Sequence, residues 1–445
     1  MTAKLRIARR MALDLRLFLF SALLSLAAAI YSEAVGHSTL VFIGSYNLTT
    51  AEPVLGASMV AAVTMVLRRQ LHFDLRVLLL VVLAALTLVS FGRGLLVRPY
   101  DAFFSLRNNG PFTAMLFMAC VLPPNEQLWA KVQKIIVFAG AGLAGLVFLR
   151  IVLGPTFLIQ AQYLEESTIN DGGRALSAQG AMIVGAAVLL QFRQACRQEH
   201  FALLSLCVLV PALLLTRQAT ATIATVSAVV TFFALQPGPS RPLRIWLLGF
   251  LLLMTIFFST ILPSALDPET LDSIAPKAIV GDTLRRVQTL DTRQLVWAGL
   301  LRDFYEWSFE NQALGLPAGV KPVVIVPLWG GTVWKNSIHS MYFGLLPQVG
   351  VVGLLVYIAA LFSLAFRSIV VSTLFPGFDG GAMIASLVVL LAVFGFSYEL
   401  RGEAALFLLV AVQYARRSNV RSGAQMRRIK PRAKGRAEYA HGFNE

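Results

Sequence analysis

The stretch "VLLLVVLAALTLVSFG", residues 77–92, runs without a charge or a proline. At about 1.5 Å per residue in a helix it approaches the ~30 Å hydrocarbon core of a bilayer. A second run, "IWLLGFLLLMTIFFSTIL" at 245–262, repeats the pattern. The whole chain shares it: 57% of residues are hydrophobic and 14% charged, with a mean hydropathy of +0.71. Soluble domains carry about a quarter charged residues. The chain therefore reads as an all-α polytopic membrane protein.

A formal charge of +15 raises the question of nucleic acid, and the position of the excess answers it. Lys4, Arg6, Arg9, Arg10 and Arg16 crowd the start, and residues 416–445 form a basic tail opposed only by Glu438 and Glu445. Basic ends beside apolar spans fit a cytoplasmic orientation next to anionic membrane lipids. No nucleic-acid partner is expected. The start resembles a signal peptide, with a basic region before "LFLFSALLSLAAAI", and is read as an uncleaved first span. Cys120, Cys196 and Cys207 lie in or beside spans and offer neither a disulfide framework nor zinc-ligand spacing.

Hydropathy places about twelve transmembrane helices, near 16–34, 52–67, 75–92, 103–122, 135–153, 177–192, 201–216, 219–236, 245–262, 341–365, 382–397 and 403–415. Alternation then puts both termini in the cytoplasm. It also gathers the loops with Arg68, Arg69 and Arg76, Lys131 and Lys134, Arg193 and Arg197, Arg241 and Arg244, and Arg367 on the inner side. Arg93 and Arg98 fall on the outer side, against the rule. The chain divides into helices 1–9 (1–262), one large outward loop (263–340), helices 10–12 (341–415) and the basic cytoplasmic tail (416–445).

Within that loop, "TRQLVWAGLLRDFYEWSFE" (292–310) has Leu295, Val296, Gly299, Leu300, Phe304 and Trp307 at mixed helical spacing. This predicts an amphipathic helix over the membrane, stopped near Gly315 and Pro317. The following "LGLPAGVKPVVIVPLWGG" (314–331) is too rich in proline and glycine for a helix and reads as an ordered loop.

Ionisable groups beside spans on the outer side are functional candidates, because charge at membrane depth is costly. Arg217, in "LLLTRQATATIATV", occupies a turn with almost no loop; it also fits a snorkelling interfacial arginine. Arg293 begins the amphipathic stretch, where it also fits a solvated helix face. Arg174, in "NDGGRALSAQG", precedes the sixth span and equally fits a headgroup anchor. His339 stands just before the tenth span in "NSIHSMYFGLLPQVGVVGLLVY" (336–357). The positive end of that helix disfavours an imidazolium, so a neutral ring able to accept a proton is expected. Gly344, Gly350 and Gly353 suit close helix approach, and Pro347 is expected to bend the span.

Several arginines with one candidate base suit a leaving group of more than one negative charge, and pyrophosphate is the obvious one. There is no carboxylate cluster with metal-ligand spacing on that face and no Gly-rich nucleotide loop. A lipid-linked donor is thus expected over a soluble nucleotide sugar.

The stretch "IHSMYFGLLPQVGVVGLLVY", with "TRQLVWAGLL" and "ALGLPAG" in the preceding loop and the "LLLTRQAT" turn, resembles the O-antigen ligase and O-antigen polymerase superfamily. Thr216 stands where that family commonly has serine. The resemblance implies a GT-C-like glycosyltransferase of the bacterial inner membrane, working without metal or other cofactor, with its large loop in the periplasm. It implies transfer of glycan from undecaprenyl pyrophosphate to an acceptor hydroxyl, with inversion by single displacement. Carried over by motif, Arg217 and Arg293 would bind the pyrophosphate, Arg174 would assist, and His339 would activate the acceptor. The partners implied are the lipid-linked donor, an acceptor glycan or lipid A core, membrane lipids and a chain-length regulator. A polymerase of exopolysaccharide, capsule or O-antigen is the leading expectation. A ligase using lipid A core, a transporter or lipid-linked glycan flippase, and a membrane scaffold stay open beside it.

Overall fold

The computed structural model describes residues 2–35, 39–43, 46–68, 75–105, 113–114, 118, 126–154, 157–159, 175–236, 293–320, 322, 324–328, 331–335, 338, 340–374 and 380–398. Helices come first: α1 (Thr2–Val35), α2 (Ala51–Arg68), α3 (Leu75–Val97), α4 (Glu126–Leu153), α5 (Ala178–Ala195), α6 (His200–Leu215) and α7 (Ala219–Leu235), with residues 99–105 also helical between α3 and α4. Between α1 and α2 lies an antiparallel hairpin, β1 (Thr39–Ile43) and β2 (Tyr46–Thr49). Then come α8 (293–306), α9 (Phe309–Leu314), a second hairpin of β3 (Val324–Leu328) and β4 (Gly331–Lys335), α10 (Met341–Leu374) and α11 (Gly380–Ser397).

Helices dominate, and α1 to α7, α10 and α11 fall on expected spans. Among the described residues five helices are long and apolar enough to cross a membrane, within α1, α3, α4, α10 and α11. Shorter apolar helices are Ala51–Met65, His200–Leu215 and Ala219–Leu235. These helices make the chain a membrane protein. The expected spans at 245–262 and 403–415, most of 103–122 and the basic tail lie outside the described residues.

Small residues set the interior. α5 is buried along nearly its whole length, with Ala and Gly admitting close neighbours. A side chain on Gly140 of α4 would strike Ala187 of α5, and one on Gly185 of α5 would strike Thr225 of α7. On the other flank α11 is enclosed by α7 and α10, with residues from Gly380 to Val388 all buried. By contrast α6 exposes Phe201, Leu203, Leu204, Val208 and Leu214, an uncharged apolar face suited to lipid.

The long loop departs from its sequence expectation in two places. The amphipathic helix is interrupted near Trp307, and Ser308 starts α9 by accepting a hydrogen bond from the Asn311 amide (3.4 Å). α9 stops at Gly315, whose φ of 84° is left-handed, as the glycine there predicts. Part of the stretch read as loop is the β3–β4 hairpin, in which Ile325 pairs with Trp334 and Val326 with Val333. Its β-branched run outweighs Pro327, which a two-stranded ribbon tolerates because every strand is an edge.

The break in α10 lies at Gly350 (φ 67°, ψ −172°), three residues past the proline expected to bend it. Only glycine adopts that conformation readily. The space at the break is filled by the last turn of α9 and its glycine cap: a side chain on Gly350 would strike the Ala313 carbonyl and lie 2.6 Å from the Gly315 amide. The amide of Leu316 donates to the Pro347 carbonyl (2.8 Å). On its other side the loop is held by α3. Ala318 N donates to Ser90 O (2.9 Å) and Ser90 Oγ to Leu316 O (3.0 Å). Arg93 donates to Gly315 O (2.7 Å) and Asn311 Oδ1 (2.6 Å) and pairs with Glu310 (3.0 Å). Arg93, which offended the charge rule, is thus committed to tertiary contacts.

Gly350→Ala is expected to destabilise the protein by at least about 1–3 kcal/mol, through backbone strain alone. Reversible unfolding in detergent, compared with Gly142→Ala in open space on α4, measures this.

Candidate functional site

At one end of the bundle the turn between α6 and α7 is built on Thr216 and Gln218, both buried, with exposed Arg217 between them. Thr216 Oγ1 donates to Leu213 O (2.6 Å) and accepts from Gln218 N (3.3 Å). Arg217 takes a left-handed φ of 57°, costly for a residue with a side chain and held here by its two anchored neighbours.

Gln218 reaches in both directions. Its Nε2 donates to Leu176 O (2.9 Å), in the segment entering α5, and its Oε1 accepts from the Tyr398 hydroxyl (3.4 Å). Tyr398 follows α11 and stacks on Phe394, with ring centroids 5.3 Å apart. Over the Tyr398 ring lies the guanidinium of Arg293, its carbon 5.1 Å from the centroid. Arg293 is half-buried, and its Nε is buried without a hydrogen-bond partner among the described residues.

One turn along α8, Trp297 Nε1 donates to Ile338 O (2.8 Å). The indole stacks on Phe343 of α10 (4.9 Å, 15°) and meets Phe396 of α11 edge-on (5.6 Å, 82°). With Val296 and Leu300 it forms a small apolar cluster around Ile338. Ser340 is buried, with its hydroxyl 3.5 Å from Gly395 O.

The elements carrying the sequence candidates are therefore joined. Arg217 and Arg293 connect through Gln218 and Tyr398. Arg174 and His339 lie outside the described residues, but Leu176 follows the first by two positions, and Ile338 and Ser340 flank the second. All three of these neighbours belong to the same end of the bundle.

Behind this network is a polar support. Arg150, near the end of α4, is 2% exposed and donates to Phe157 O (3.3 Å), Ala175 O (2.8 Å), Glu33 O (2.6 Å) and Ala34 O (3.1 Å). The Glu33 carboxylate accepts from the amides of Ser177 (2.9 Å) and Gly180 (3.2 Å) and from the Ser177 hydroxyl, at the N-terminus of α5 where negative charge is favoured. Gly180 leaves room for it, since a side chain there would come within 2.7 Å of Glu33 Cδ. Each residue of 175–177 is gripped from a different side: Ala175 by Arg150, Leu176 by Gln218, Ser177 by Glu33. Sequence reasoning missed Glu33, Arg150, Gln218 and Tyr398. The one available signal was an isolated charge, Glu33 or Arg150, close to the end of an apolar run.

Compared with family models and with curated proteins, the chain matches none.

Arg150→Leu is expected to cost at least about 3 kcal/mol, because it strips donors from several buried carbonyls at once. Arg150→Lys, a point charge without the planar fork, is expected to fall between that variant and wild type. Denaturant unfolding in detergent measures the order.

Proposed function

We propose that the protein is a metal-independent, inverting glycosyltransferase of the bacterial inner membrane. It moves a glycan from undecaprenyl pyrophosphate to an acceptor hydroxyl in the periplasm, polymerising an exopolysaccharide, capsule or O-antigen. In this proposal about twelve helices cross the membrane, both termini are cytoplasmic, and the 263–340 loop covers the site. The observation that supports it is the network running from Leu176 through Gln218 and Tyr398 to Arg293, with Trp297 continuing to Ile338. Its members include Arg293 itself and the close chain neighbours of Arg174, Arg217 and His339.

In chemical terms, the arginines bind the pyrophosphate through planar, permanently charged forks. His339 removes the proton of the incoming hydroxyl. The new bond to the anomeric carbon forms on the face opposite the departing pyrophosphate oxygen, so the configuration inverts. The guanidinium charges offset the negative charge that gathers on the leaving group. No metal enters the scheme.

Purified protein with a defined lipid-linked donor and acceptor tests this by product chain-length analysis. His339→Ala and Arg293→Ala are each expected to lower turnover by about 100-fold or more, the range for a lost general base or charge stabiliser. Unchanged product from both variants, with normal membrane content, would overturn the assignment. Transfer to lipid A core without chain growth would make the enzyme a ligase.

A further inference from the structure

Among the described residues Arg293 is held by an aromatic face, with no carboxylate paired to it. The difference matters chemically. An arginine paired with Asp or Glu has its charge cancelled and its fork occupied, whereas one resting on a ring keeps full charge and leaves in-plane N–H groups for an anion. The ring under it is anchored in turn. Phe394 stacks on Tyr398, and the Tyr398 hydroxyl bonds Gln218 Oε1. The Gln218 amide is oriented because its Nε2 is committed to Leu176 O. Leu176 is fixed between Ala175, bound by Arg150, and Ser177, bound by Glu33.

We infer that Tyr398 and Gln218 are positioning residues for Arg293: they set its guanidinium at a fixed place beside the Arg217 turn, with the gripped segment 175–177 as footing. The anion they prepare it for is the pyrophosphate of the proposed function, on which that part of the inference rests. Neither residue touches the substrate. Tyr398 supplies the surface beneath the guanidinium, and Gln218 fixes the orientation of Tyr398 relative to the turn that carries Arg217.

Two measurements on the full-length protein in detergent separate this inference from the functional reading. The first is the rate of phenylglyoxal modification at Arg293, read by peptide mass spectrometry without ligand. Tyr398→Leu, which removes the ring, is expected to raise that rate several-fold, with Tyr398→Phe and Gln218→Leu between it and wild type. Tyr398→Phe keeps ring and volume and provides a folded comparison if the leucine variant fails to fold. A rate unchanged in both Tyr398 variants overturns the positioning role.

The second is titration with inorganic pyrophosphate in the presence of a chelator. Tyr398→Leu is expected to weaken binding about three- to tenfold, in keeping with the strength of a cation–π contact. Combined with Arg293→Ala it should add nothing further. Equal weakening in the Arg293→Ala background would mean that Tyr398 acts elsewhere and would overturn the inference. If wild-type protein binds no pyrophosphate, the functional reading fails while the modification rates still decide whether Tyr398 positions Arg293.

Discussion

Away from water a buried polar group must find its partners inside the protein, and Arg150 is the clearest case here. Its guanidinium gathers carbonyls from the end of α1, the segment after α4 and the entry to α5. A planar fork with five donors can do this, and an ammonium cannot cover the same spread. Glu33 completes the arrangement by accepting from the first amides of α5. The position of Leu176, and hence of Gln218 and Tyr398, depends on that polar junction.

A second junction works by shape. Gly350 opens α10, Gly315 reverses the chain after α9, and neither tolerates a side chain at the place where they meet. The Pro347 carbonyl, near the break, takes the Leu316 amide. Ser90 and Arg93 bind the same loop from α3, so it is fixed to two helices at once. The polar junction orients the α6–α7 turn, while the steric one tethers the segment that follows α8.

Much of the helix pattern was legible because lipid demands long apolar runs, and α3, α10 and α11 display them openly. Arg217 and Arg293 were legible as candidates because a charge in a tight turn or at the head of an amphipathic stretch stands out. Glu33 and Arg150 were not. One charge near the end of a span looks like an interfacial anchor until its partners, from segments distant in sequence, are known. Tyr398 was hidden for a similar reason, since a tyrosine at a span end fits the aromatic belt. Pro347 and Gly350 were both visible, but only backbone dihedrals distinguish the residue that opens the helix. The split between α8 and α9 rests on a single serine cap within an otherwise continuous amphipathic pattern. The β3–β4 pairing depends on a register that prolines and glycines in the sequence obscured.

The bond between Gln218 and Tyr398 spans 180 positions of chain. At ribosomal rates of about 5–20 residues per second, roughly 10–40 s separate the synthesis of its two ends. Late in that interval the arginine-bearing turn and Arg293 have both been synthesised without the ring that Arg293 rests on. The site therefore comes together late, when the end of α11 is threaded into place. A chain released between residues 293 and 398 holds Arg217 and Arg293 but lacks the surface on which Arg293 rests, which ties the arrangement to synthesis past α11.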